Sequence, residues 1–106
     1  MSRYNKSTAN RLKKVWEKTG GICSHCGKQA TGSNRTSDHY VTRSRGGTYD
    51  LRNLFPLCKD CNRARQDVPI SPATYYKYAS REHIRDCLQY EQEFLRSRRS
   101  MSGDTY

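Results

Sequence analysis

Long apolar runs are missing from this chain. No window of about 18 apolar residues occurs, so no membrane-spanning segment is expected. Met1 to Lys14 has no apolar stretch either, so no secretory leader is expected. Hydrophobic residues make up 33% of the 106, with a single Trp and three Pro. One small domain built on so little apolar surface has a thin core. Acidic residues are also scarce: Asp and Glu number 10 against 20 Lys and Arg, for a net charge of +10. The excess is uneven. Residues 1–70 hold 14 basic and 5 acidic groups, whereas residues 71–106 hold 6 and 5. A chain this basic meets a polyanion, and the first two thirds carry that face. Cysteine is present in an odd number, five, which argues against a closed disulfide framework. No internal repeat occurs beyond two Cys-x-x-Cys pairs, which read as a metal site in a reducing cytosol.

Those pairs are Cys23/Cys26 and Cys58/Cys61. Four thiolates suit a soft, tetrahedral zinc site, and zinc binding would add the folding free energy that the thin core lacks. Gly27, after the second cysteine, lets the backbone turn with positive φ beneath the sulfurs. Between the pairs stand Asp38, His39 and Asn53, and Asn62 directly follows Cys61. Asp38, His39 and Asn62 offer oxygen and imidazole groups of the kind that hold a hard divalent cation and activate water.

The local patterns predict a short order of elements. A helix over 8–19, capped by Ser7 or Thr8 and stopped by Gly20-Gly21, places Leu12, Val15, Trp16 and Thr19 on one face. Its basic residues Arg11, Lys13, Lys14 and Lys18 form either a solvated face or one that also touches phosphate. Strands are expected over Ser37 to Val41 and Leu54 to Cys58, joined by a loop that bends at Gly46-Gly47. Adjacent strand residues point to opposite faces, so Asp38 and His39 share a site only if the strand bends or ends there. Pro56 implies an edge position or a bulge. A short helix over Lys59 to Gln66 would be anchored by Cys61 and would aim Asn62 sideways, about 100° around its axis. A helical segment over 72–98, broken near Ser80, carries a stripe of Tyr75, Tyr78, Ala79, Ile84, Cys87, Leu88 and Phe94 or Leu95. That stripe serves either packing or a dimer contact. The tail over 99–106 is polar and expected to be disordered.

Asp38-His39, Asn53 fourteen residues on and Asn62 nine beyond it, all in register with the Cys-x-x-Cys pairs, resemble the HNH endonuclease family in its zinc-ribbon-bearing, H-N-N form. The resemblance covers about residues 22–67. It implies an α+β fold: a ββα-metal (His-Me finger) unit with flanking helices, in one domain over residues 1–106. It further implies catalytic roles for His39, Asp38, Asn53 and Asn62. His39 would be the base, Asp38 and Asn62 the ligands of a catalytic Mg²⁺ or Mn²⁺, and Asn53 the residue that holds the loop between strands. Arg43, Arg45, Arg63 and Arg65 would contact DNA phosphates. Arg65 stands where many such sequences have Lys, and Thr42 where many have Pro. The implied activity is metal-dependent hydrolysis of DNA phosphodiesters. The alternative is a catalytically silent zinc-ribbon nucleic-acid-binding module. The chain also resembles phage-encoded members, which on that analogy implies terminase or other packaging partners in a bacterial host cytoplasm.

Overall fold

The computed structural model describes the backbone of residues 2–103 and the side chains of residues 9–98. The order is α1 (Ser2–Glu17), β1 (Arg35–His39), β2 (Leu54–Cys58), α2 (Lys59–Arg65), α3 (Pro72–Tyr75) and α4 (Arg81–Gly103). The architecture is small α+β: one two-stranded antiparallel sheet with helices packed around it. No described helix is long and apolar enough to cross a membrane.

Helix α1 begins upstream of the Ser7/Thr8 pair, whose side chains lie outside the described residues. Past Glu17 the chain unwinds through Gly20 and Gly21, with φ of 67° and 96°. Val15 and Trp16 are buried, and the Trp16 indole Nε1 donates to the Thr36 carbonyl at 3.0 Å. That bond fixes α1 across the back of β1.

Strand β1 differs from the expected Ser37 to Val41: it runs from Arg35 and ends at His39, pairing Asp38 with Phe55 and His39 with Leu54. The reason is local competition for the backbone. The Asn53 side chain takes both the N–H and the C=O of Val41, so no strand partner can use them. Strand β2 is buried over Leu54 to Leu57. Pro56 lacks an N–H, but its carbonyl accepts from the Ser24 amide at 2.8 Å and ties the first Cys-x-x-Cys turn to the sheet.

Phe55 is the centre of the core. Its ring is stacked between Tyr76 (centroids 3.7 Å apart) and His83 (3.8 Å), so β2 is gripped from two sides. Truncating such a side chain to Ala costs about 3–5 kcal/mol. Helix α4 presents His83, Cys87 and Tyr90 to the core, at helical spacings of four and three. Most of the expected stripe packs there: Cys87 is in the core, and Tyr75, Ala79, Ile84 and Phe94 lie against it. Tyr78 and Leu88 of that stripe are exposed, Phe94 rather than Leu95 faces the core, and His83 and Tyr90 add buried aromatic rings to it. The helix also continues beyond the expected end at Arg98, because no Gly or Pro interrupts it before Gly103. Residues 104–106 of the expected tail lie outside the described residues.

Candidate active site

The cysteine sulfurs of Cys23, Cys26, Cys58 and Cys61 all lie within 4.8 Å of one another. The Cys26 and Cys58 sulfurs are 4.0 Å apart. A tetrahedral ion with bonds of about 2.3 Å needs sulfurs about 3.8 Å apart, so the set can hold a metal such as zinc. The first turn is built for this. Cys23 N–H donates to the Lys28 carbonyl and Gly27 N–H to the Cys23 carbonyl. Gly27 has φ of 79°, and a Cβ there would collide with the Tyr78 ring. Burial alone would push the Cys23 thiol up, but backbone amides of Cys26, Cys58 and His25 donate to its sulfur and bring it below its ordinary value. His25 does not join the set. Its Nδ1 lies 2.8 Å from the Tyr75 carbonyl, and its ring stacks on Tyr75.

Beside this centre opens a cavity of about 230 Å³, lined by Ser37, Asp38, His39, Thr42, Arg43, Asn62, Gln66 and Asp67. Asp38 and His39 line it together because β1 ends at His39. Both hydrogen bonds to the Asp38 carboxylate, from Arg65 (2.7 Å) and the Tyr76 hydroxyl (2.5 Å), fall on Oδ2. Asn62 donates through Nδ2 to Thr36 Oγ1 at 2.8 Å and, at 3.4 Å, to the Ser37 carbonyl. These bonds leave Asp38 Oδ1 and Asn62 Oδ1 as hard oxygen donors on one cavity, a set that fits a Mg²⁺-type ion. Burial pushes the Asp38 carboxyl up, against the Tyr76 hydroxyl and Arg65, which pull it down. Burial also pushes the His39 imidazole down, helped by the cations Arg43, Arg11 and Arg65. Its Nε2 is buried without a hydrogen-bond partner.

Asn53 lies outside the cavity and is fully buried. Its Oδ1 accepts from Val41 N–H at 2.7 Å, and its Nδ2 donates to the carbonyls of Val41 (3.1 Å) and Thr48 (3.0 Å). One side chain thus ties both ends of the inter-strand loop. Inside that loop Gly46 has φ of 99°, and a Cβ on Gly47 would collide with the Val41 carbonyl.

Residues 23–67 match the HNH endonuclease family. No curated protein matches the chain. The match to this family supports a nuclease-type function, with binding of nucleic acid and of divalent metal. The elements β1, β2 and α2 of the HNH segment and its cysteine cluster agree with the family's ββα-metal fold.

The arginines of the HNH segment divide. Arg43, Arg45 and Arg63 are exposed. Arg65, expected at phosphate, is not: its side chain is 0% exposed. Its guanidinium reaches Asp38 Oδ2, the carbonyls of His39, Tyr40 and Val68, and the Tyr76 hydroxyl. A guanidinium so enclosed has no surface to offer DNA. Two residues of the site were invisible in the sequence pattern. Tyr76 comes from α3's C-terminus, outside the HNH segment, and carries no motif. Tyr49, 43% exposed, packs edge-on against His39 with centroids 4.8 Å apart, and only its aromatic character beside Arg43 could have signalled it.

Proposed function

We propose that the protein is a metal-dependent DNA endonuclease that hydrolyses phosphodiester bonds. The observation that supports this reading is the single cavity shared by Asp38, His39, Asn62 and Arg43. His39 is the general base: a neutral imidazole takes the proton of the attacking water. Asp38 and Asn62 would hold the catalytic Mg²⁺ or Mn²⁺, which would relieve charge on the phosphate and on the leaving 3′ oxygen. Asn53 supports this arrangement by holding the loop that follows His39. Arg43, Arg45 and Arg63 are free to contact phosphates on the cavity's rim. Cys23, Cys26, Cys58 and Cys61 would hold a zinc ion that anchors α2, and with it Asn62. The phage setting, with terminase partners in a host cytoplasm, belongs to the same proposal and rests on the resemblance alone.

The test is cleavage of supercoiled plasmid with Mg²⁺, Mn²⁺ or EDTA. The parent should cut with either metal and stop in EDTA. His39→Ala should lose about 10²–10⁴-fold in rate, the usual loss on removing a general base. DNA binding and zinc content should remain. If the parent binds DNA but never cuts, the silent binding module is the better reading. If His39→Ala cuts as fast as the parent, the base is misassigned.

A further inference from the structure

Helix α1 lies outside the HNH segment, yet it reaches the candidate active site through one side chain. Arg11 places its guanidinium carbon 4.5 Å from the centroid of the Tyr49 ring. Arg43 places its own 4.9 Å from the same centroid and donates through Nη1 to the Tyr49 hydroxyl at 2.6 Å. Two cations thus share one aromatic ring, and that ring meets the edge of His39. Each cation is attracted to the ring face, but the two repel one another. Neither has a carboxylate partner among the described residues. Glu17 is the only carboxylate between residues 1 and 37, so α1 supplies none nearby. An anion is the component that would complete the arrangement.

The shape agrees with the charge. A hollow of about 240 Å³ opens beside this ring, lined by Asn10, Arg11, Lys14, Tyr49 and Leu51. Arg43 lines the catalytic cavity and bonds to Tyr49, which lines the hollow, so the two spaces share a wall. Asn10, Arg11 and Lys14 in its lining all carry side-chain donors, and among the described residues no acidic one lines it.

We infer that this hollow is a second phosphate-binding point, taking a backbone phosphate of the nucleic acid next to the one in the catalytic cavity. Arg11 is its principal ligand. Tyr49 is a positioning residue that orders Arg11 and Arg43 against each other. The inference rests on the nuclease reading for the identity of the polyanion. It adds that α1 belongs to the binding surface, and that an isolated HNH segment would bind more weakly than the whole chain.

The experiment measures binding of a fluorescent DNA duplex by anisotropy, in EDTA, across a salt series. Each phosphate contact adds about one to the slope of log affinity against log salt. Arg11→Gln should lower the slope by about one. Lys13→Gln removes the same charge from an exposed position of α1 that does not line the hollow, and it should leave the slope nearly unchanged. Tyr49→Leu should weaken binding, Tyr49→Phe should restore most of it, and Arg11→Gln should cost little more in the Tyr49→Leu background. Arg11→Gln and Lys13→Gln behaving alike at every salt concentration would overturn the proposal, since the charge would then act diffusely. Additive effects of Arg11→Gln and Tyr49→Leu would remove Tyr49 from it. Failure of the nuclease reading shows elsewhere, as a parent protein that binds the duplex and leaves plasmid uncut.

Discussion

Arg65 Nη1 lies 2.7 Å from Asp38 Oδ2, and the two side chains are 0% and 5% exposed. This buried pair joins the C-terminal end of α2 to the end of β1, at the cavity that Asp38 lines. It orients the Asp38 carboxylate by engaging Oδ2, as the Tyr76 hydroxyl also does, and leaves Oδ1 without a side-chain donor among the described residues. Its energetic signature is asymmetric. Removing one partner of a buried pair leaves an uncompensated charge and costs about 3–5 kcal/mol.

Arg65→Leu should therefore lower the melting temperature strongly, even though it places an apolar side chain at a buried position. Arg65→Lys keeps the charge but cannot reproduce the planar fork that reaches Asp38 and three carbonyls, so it should also be destabilised. A folded Arg65→Lys variant should keep the parent's salt dependence of DNA binding. Exposed Arg63→Gln should lower that slope by about one. Thermal melts and anisotropy titrations check both halves; an Arg65 variant as stable as the parent contradicts the structural role.

Asn53→Ala removes three hydrogen bonds from a fully buried position. It strands the Val41 amide and carbonyl and the Thr48 carbonyl. Each buried group left unpaired costs about 1–3 kcal/mol, so a loss of several kcal/mol in urea unfolding is expected. Activity should fall with it, because the loop follows His39. Asn53→Asp should also destabilise, since a carboxylate accepts from Val41 but cannot donate to the two carbonyls. A variant with parental stability and reduced cleavage would instead point to a direct chemical role for Asn53.

Elemental analysis of folded protein should find one zinc per chain. Stripping it with a strong chelator should unfold the domain, because the four cysteines tie the first turn to β2 and α2 while the apolar fraction is small. Circular dichroism reads the loss. Soluble, folded protein without zinc is the contrary result.

His83 makes stability depend on pH. Burial pushes its imidazole down to about 4 from 6.5, and the Lys18 ammonium 3.1 Å from Nε2 adds repulsion against the charged form. The Leu54 carbonyl, 3.0 Å from the same nitrogen, pulls weakly the other way. The unfolded chain binds a proton here between pH 6.5 and 4 that the folded chain refuses. This stability is present above pH 6.5 and is lost as pH falls toward 4, by at most about 3 kcal/mol. His83→Phe keeps a ring against Phe55 and removes the titration. Urea midpoints at pH 7 and pH 5 should fall further for the parent than for His83→Phe. Equal falls would mean that His83 is not held neutral by the fold.

Much of this protein is written locally. The Cys-x-x-Cys spacings, the Gly27 turn, the bounds of β2 and the start of α2 depend on neighbours in the chain, and the same local rules that mark them in sequence build them in space. Asp38, His39 and Asn62 are likewise in register with the cysteines, so their meeting at one cavity was legible. Other features depended on contacts between distant segments. Whether Arg65 meets DNA or Asp38 turns on how α2 seats against β1, because burial exchanges phosphate for a carboxylate 27 residues away. The apolar spacing of α4 marked Ile84, Cys87 and Phe94, but the place of His83 in the core depends on stacking against Phe55, a residue 28 positions away. β1 stopped two residues early because Asn53, 12 residues downstream of Val41, competed for its backbone. Composition and spacing determine which groups the chain owns and where it turns. The pairing of those groups across the fold is decided by packing, since a charge or ring finds its partner only when the segments that carry it are brought together.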